Sequence, residues 1–175
     1  AFARALADLD YPVVCSILPF STNAREVAEL SHANGLEILL HQPMEPVDGT
    51  INPGPAALYD DMDVRTVRRI VAANMEAVPH AIGVNNHMGS RFTQNRELLV
   101  PVVDEAFRHD WLVLDSLTHP RSELADLAWE QGLPALRRDV FLDVVKDENA
   151  ILHQLHKAAR VAIKRGRAVA IGHPY

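Results

Sequence analysis

The sequence has a single cysteine, few aromatic residues and no long apolar run. Because Cys15 has no second cysteine to pair with, a disulfide-stabilised small protein is excluded. The apolar run at 13–18 is far shorter than the roughly 20 residues that cross a bilayer, so no membrane span is expected. The sequence also lacks GxGxxG, GxxxxGKS/T and GxSxG, which disfavours dinucleotide-binding, P-loop and serine-hydrolase enzymes.

An excess of basic residues is also missing. Lys and Arg number 17 against 23 Asp and Glu, a formal net charge of −6, so no nucleic-acid partner is expected. The 175 residues are 48% apolar, which suits one domain with a substantial core. The chain starts inside an amphipathic helical pattern at 2–9 and stops directly after a strand pattern at 168–171. We therefore expect a single, incomplete domain over residues 1–175, cut from a longer one.

Short apolar runs alternate with segments of helical periodicity along the whole chain. The runs predict strands at 13–18, 37–41, 81–85, 111–115, 135–141 and 168–171. The periodic segments predict helices at 2–9, from Ser21 or Thr22 to Asn34, and at 63–78, 96–109, 122–131 and 148–166. This alternation predicts an α/β fold with a parallel sheet. The segment 42–58, rich in Pro, Gly and Asp, is too long for an ordinary connection and is a functional candidate.

Several predicted strands end in a histidine or a carboxylate. His41, His87 and His173 each follow a strand, and the carboxyl ends of parallel strands meet at one edge. Neutral imidazoles together with a carboxylate suit zinc, cobalt, nickel or iron, and such an ion activates water for hydrolysis. The alternative is that each histidine is a hydrogen-bonded structural residue and that Asp115 and Asp143 cap helices.

Five strings at these strand ends resemble one family. They are HQPMEP at 41–46, NNHMGSR at 85–91, LDSLT at 114–118, RDVFLD at 138–143 and AIGHP at 170–174. In this order they resemble the divergent polysaccharide deacetylase family, and they cover nearly the whole chain. The resemblance implies an irregular (β/α) barrel, removal of acetyl groups from N-acetylated polysaccharide with a divalent metal such as zinc, and a periplasmic or envelope location.

The resemblance also implies roles for individual residues. His41 and His87 would bind the metal, with Glu45 as a third ligand or as support. His173 would protonate the leaving amine. The residues expected to orient His173 or a base are Asp115, Arg138 and Asp139. The residues expected to line the sugar groove, together with the 42–58 segment, are Met44, Asn86 and Ser90.

The resemblance leaves parts of the family pattern unmatched. The family's opening strand with its Asp-Asp pair and its C-terminal closing segment have no counterpart here, so this piece alone is expected to be inactive. Glu45 stands where the superfamily has a second histidine. Two alternatives remain: a non-catalytic carbohydrate-binding or envelope protein on the same fold, and a metal-dependent hydrolase of another amide or ester.

Overall fold

A computed structural model of the protein describes residues 13–173. The chain divides into two compact units, Ala1–Ala135 and Leu136–Tyr175. The helix predicted at 2–9 lies outside the described residues. Within the described residues, no helix is long and apolar enough to cross a membrane.

A five-stranded sheet organises the first unit, and its strands neighbour one another in chain order. The first four pair in parallel. The five strands are β1 Val14–Ile17, β2 Glu37–Met44, β3 Ala81–Met88, β4 Leu112–Asp115 and β5 Ala135–Arg137. β2 and β3 are each three residues longer than the sequence predicts, and their polar ends are paired as strand.

Four α-helices connect these strands. They are α1 Ala24–Ala33, α2 Val64–Ala77, α3 Arg96–Arg108 and α4 Leu124–Glu130, and a 3-10 turn at Phe92–Gln94 precedes α3. The Asp63 side chain caps α2 by accepting a hydrogen bond from the Thr66 amide. The predicted cap of α1 by Ser21 or Thr22 is wrong. Asn23 occupies the N-cap position without a side-chain hydrogen bond, and the Ser21 hydroxyl donates to the Leu18 carbonyl instead.

The core of the first unit lies between the sheet and its helices. Leu40 of β2 and Val113 of β4 are fully buried, and Leu99 and Val102 of α3 are buried with them. Gly83 of β3 allows the strands to approach, since a Cβ there would lie 2.7 Å from the Leu112 carbonyl oxygen. Cys15 is buried, as its apolar surroundings in the sequence predict.

The second unit contains a parallel pair of short strands and one long helix. β6 Val140–Phe141 pairs with β7 Ala170–Ile171, and α5 spans Glu148–Arg165. The single strand predicted at 135–141 is therefore wrong: β5 and β6 belong to different sheets. The cause lies at Asp139, whose amide and that of Val140 both donate to the Val169 carbonyl. The prediction of an α/β fold with parallel strands is confirmed, and its β/α order is that of the irregular barrels.

Candidate functional site

The parallel register of β2 and β3 brings their polar ends together. His41 pairs with Asn85, and Pro43 pairs with His87. Alternate residues of a strand share one face, so Asn85 and His87 project to the same side, and the paired residues of β2 project with them. His41 and His87 thus converge on one face of the sheet at its carboxyl edge.

The two imidazoles are in direct contact. His41 Nε2 lies 3.1 Å from His87 Nδ1, and the rings meet edge to face with centroids 4.8 Å apart. Both side chains are half-buried. Two ring nitrogens that face each other at this distance share one proton in a hydrogen bond.

Asn85 determines which nitrogen of His41 faces His87. Its Oδ1 lies 3.0 Å from His41 Nδ1, and its Nδ2 donates to the Ser116 hydroxyl over 3.3 Å. Ser116 donates its own proton to the Asn86 carbonyl, so toward Asn85 it is an acceptor and the amide orientation is fixed. His41 Nδ1 therefore carries the proton, and the lone pair of Nε2 points toward His87.

A set of buried polar contacts holds the ends of β3 and β4 together. The Asn86 Oδ1 accepts from the Ser116 amide at 2.8 Å, and its Nδ2 donates to the Met88 carbonyl at 2.7 Å. The Thr118 hydroxyl donates to the same carbonyl. Met88 and Leu117 both adopt left-handed backbone conformations, with φ of 54° and 47°. Such strain in non-glycine residues persists only where surrounding contacts enforce it, and it concentrates at functional sites.

A second histidine site lies in the second unit. Asp143 and His173 each come two residues after a paired residue, Phe141 of β6 and Ile171 of β7. The same Asp143 oxygen accepts from the His173 amide at 2.8 Å and lies 2.9 Å from His173 Nδ1. The Asp143 side chain is 3% exposed and that of His173 is 46% exposed. The carboxylate therefore fixes the imidazole with Nδ1 protonated and Nε2 as the second, accessible nitrogen.

Residues 1–175 match the divergent polysaccharide deacetylase family over their full length. The chain belongs to this family. The resemblance inferred from the strand-end motifs is thereby confirmed. Membership of this family associates the chain with carbohydrate.

The chain has relatives among uncharacterized bacterial proteins. It is 34% identical over 166 residues to the uncharacterized protein YibQ of Escherichia coli K12, covering 91% of this chain and 50% of that protein. It is 34% identical over 165 residues to an uncharacterized protein of Haemophilus influenzae, covering 91% and 56%. The chain thus spans about half the length of these curated relatives. The crystal structure of the uncharacterized protein ATU2773 from Agrobacterium tumefaciens C58 superposes with a TM-score of 0.90 at 26% identity, covering 98% of this chain and 71% of that one.

The third predicted metal ligand lies apart from the imidazole pair. Within residues 13–173, no three His, Cys, Asp or Glu side chains are grouped so that they could hold a metal ion. Glu45 instead accepts a hydrogen bond from the Asp60 amide at 2.7 Å, and its other oxygen lies 3.8 Å from Arg91 Nε. The chain leaves β2 at Met44, and these contacts draw the Glu45 carboxylate to the neighbouring loop.

Two of the three residues predicted to contact sugar have structural roles instead. The Met44 side chain is fully buried and packs against Gly89. It therefore lines no open groove. Asn86 is 1% exposed, and both groups of its amide bind β3 or β4. Ser90 is half-buried, and its hydroxyl accepts from the Val47 amide while retaining a proton to donate.

The residues predicted to orient His173 are placed differently from one another. Asp139 accepts hydrogen bonds from the Val169 amide and Arg165, and so holds β7 and α5 rather than His173. Arg138 stacks over the Phe141 ring at 4.8 Å, and that ring also lies 5.5 Å from His173. In the first unit, Asp115 is fully buried and accepts from the Leu117 amide.

Sequence reasoning missed two residues that position the histidines. Asn85 stands in the motif beside the chosen Asn86, and the alternation of a strand that continued to His87 would have placed it on the histidine face. Asp143 ends the RDVFLD motif at 138–143, and a helix-capping role was the alternative for it. The available signal was position: Asp143 comes two residues after Phe141 of β6, and His173 comes two residues after its partner Ile171 of β7.

Proposed function

We propose that this chain is the metal-binding part of a hydrolase that removes acetyl groups from N-acetylated polysaccharide of the bacterial envelope. One observation carries the proposal: the ring nitrogens of His41 and His87 face each other at 3.1 Å, with His41 oriented by Asn85. Membership of the deacetylase family supports the substrate class.

The separation of the two imidazole nitrogens is compatible with two of the ligands of a divalent metal such as zinc. Zinc–nitrogen bonds of about 2.0–2.1 Å at tetrahedral angles place two ligand nitrogens about 3.3–3.4 Å apart. The observed 3.1 Å is close to that separation. A hydrogen bond from the far nitrogen of a ligating histidine to an amide or carboxylate is the usual support of such a ligand, and Asn85 supplies it to His41.

A bound metal would supply a water of lowered pKa and polarise the acetyl carbonyl. His41 and His87 would hold it, and a catalytic zinc site takes a third protein ligand in addition. Proton transfer to the leaving amine is supplied by a side chain of the protein. Asp143 holds the His173 ring by Nδ1. The family resemblance assigns His173 the transfer of a proton to the amine that leaves when the amide bond breaks.

The test uses the full-length protein and four alanine variants. His41→Ala and His87→Ala should lose bound zinc and acetate release together, because each removes a ligand. His173→Ala should keep its zinc while turnover falls by about 10²–10⁴-fold, the usual contribution of a positioned proton donor. His153→Ala, on the exposed face of α5, is the matched control and should change neither.

Zinc is measured by elemental analysis, and acetate release is followed on N-acetylated oligosaccharides. If His41→Ala and His87→Ala keep wild-type zinc content and rate, the imidazole pair is structural and the proposal fails. A protein that binds glycan without metal and releases no acetate would be the carbohydrate-binding alternative.

A further inference from the structure

Beyond the imidazole pair, the same edge of the sheet carries an open polar cavity. Its volume is about 400 Å³, and it is lined by Asp60, Arg91, Gln94 and Asn95. This size lies in the range of small-molecule sites. The proposed reaction leaves this cavity unused.

The cavity lies at a fixed offset from the histidines. Arg91 comes four residues after His87, and Glu45, which contacts the wall residue Asp60, comes four residues after His41. Four residues of extended chain span at most about 14 Å, so the cavity is within reach of a short oligosaccharide held at the imidazoles. Hydrogen bonds fix this arrangement, since the Glu45 carbonyl accepts from the amides of both Arg91 and Phe92.

The wall offers hydrogen-bond donors that no residue of the described part of the chain uses. Arg91 is held through Nε, 3.5 Å from Asp60 Oδ2, and its side chain is 54% exposed. Its terminal amino groups make no hydrogen bond to any described residue. A guanidinium held in this way presents a planar fork of donors to the cavity.

Acceptors stand beside these donors. Asp60 receives one bond from Asn95 Nδ2 at 2.8 Å and one from Arg91, which leaves further lone pairs on its two oxygens. Gln94 donates its Nε2 to the Ser90 carbonyl, and its Oε1 makes no hydrogen bond to a described residue. Neighbouring donors and acceptors match the hydroxyl groups of a sugar, each of which both donates and accepts.

The charged cluster of Glu45, Asp60 and Arg91 discriminates between neutral and anionic sugars. Glu45 and Asp60 carry two negative charges against the one positive charge of Arg91, so the formal sum is −1. An anionic sugar would meet net repulsion here, whereas neutral hydroxyls find both kinds of partner.

We propose that this cavity is a second sugar subsite, which binds the hydroxyl groups of an uncharged sugar unit next to the acetylated one and disfavours uronic acids. The proposal rests on the proposed function, because it assumes that the imidazole edge acts on a glycan chain. Arg91 and Asp60 are its specificity-determining residues.

The experiment measures glycan binding by calorimetry on the full-length protein, with a chelator present so that zinc plays no part. The probes are the monomer and tetramer of N-acetylglucosamine and a tetramer in which every second sugar is a uronic acid. The wild type should bind the neutral tetramer about tenfold more tightly than the acidic one, a factor that one charged hydrogen bond can supply. Arg91→Ala should weaken binding of the neutral tetramer about tenfold and leave the affinity for the monomer unchanged.

Asp60→Asn supplies a second arm, because it brings the formal charge of the cluster to zero at nearly constant shape. It should narrow the preference for the neutral tetramer. Arg69→Ala, which removes an exposed arginine of α2, is the matched control and should change nothing. Thermal midpoints are recorded for every variant to confirm folding.

The subsite is overturned if the wild type binds no tetramer, if Arg91→Ala binds it as wild type does, or if the acidic tetramer binds equally well. These outcomes are separate from failure of the proposed function. Zinc-dependent acetate release with no effect of Arg91→Ala would refute only the subsite. Arg91-dependent glycan binding without zinc or acetate release would refute only the deacetylase.

Discussion

Removal of the Asn85 side chain tests how the proposed metal-binding pair, His41 and His87, is held in place. Asn85→Ala deletes the oxygen that lies 3.0 Å from His41 Nδ1, and with it the contact that fixes the protonated nitrogen and the ring orientation. Loss of such a support typically lowers metal affinity by about 10–100-fold. That range corresponds to about 1.4–2.7 kcal/mol of binding free energy.

The same substitution also lowers stability, so the two effects must be separated. Asn85 is 1% exposed, and its loss removes a bond to the Ser116 hydroxyl as well, which we expect to cost about 1–3 kcal/mol of unfolding free energy. Asn74→Ala is the matched control. Asn74, on α2, is equally buried, and its Nδ2 donates to Gln42 Oε1 at 2.8 Å and to the Ala56 carbonyl at 3.0 Å.

Zinc affinity is measured by competition with a chelator, and stability by urea denaturation. Both variants should be destabilised, but only Asn85→Ala should lose zinc affinity. Asn85→Asp keeps an acceptor for His41 Nδ1 and should recover most of the affinity. If Asn85→Ala binds zinc within twofold of the wild type, the hydrogen bond does not position His41 and the reasoning is wrong.

Two further predictions concern the strand ends and pH. Gly89→Ala should lower the unfolding free energy by about 1–3 kcal/mol more than Gly54→Ala in urea, because both glycines have positive φ but only at Gly89 would a Cβ lie 2.9 Å from Met44. Equal losses would show that backbone strain alone matters. Burial raises the pKa of the Cys15 thiol above its ordinary 9.0, and the Ser31 side chain opposes part of that rise. The unfolded chain therefore loses this proton first, and the unfolding free energy should fall as pH rises above about 9. In urea titrations from pH 7 to 10, Cys15→Ala should reduce that fall, and an unchanged profile would contradict the assignment.

Within the described residues, the sequence was sufficient for the positions of the five helices and for the centres of β1 to β4. α2 agrees with the helix predicted at 63–78 from its apolar periodicity, and the structure adds that Asp63 caps it. The end of β3 was not predictable in this way. Asn85, Asn86 and His87 are polar, and period-two alternation alone does not show that such residues continue a buried strand. Their pairing with β2 extends the strand, and that pairing is a tertiary interaction.

The candidate site divides along the same line. Motifs identified His41, His87 and His173, because histidines after strands are visible in the sequence. Which carboxylate serves which histidine depends on register, and register comes from pairing between strands distant in the chain. Asp143 reaches His173 because β6 and β7 pair with Phe141 opposite Ile171. A shift of one residue in that pairing would have directed Asp143 away from the ring.

Rigidity is distributed unevenly at the edge that carries the imidazole pair. Asn86 accepts from the Ser116 amide, and Asn86 and Thr118 both donate to the Met88 carbonyl, so the backbone beside His87 is held from the neighbouring strand. The loop that follows β2 is tied at its two ends, where Leu58 pairs with Met44 and its amide and carbonyl bond to Pro43 and Glu45. Between these ties, residues 47–52 are exposed. Few buried contacts give a segment a low free energy of local opening. The structure therefore combines a pair of ring nitrogens held at a fixed separation with an adjacent exposed loop, the arrangement that the proposed metal and glycan binding would use.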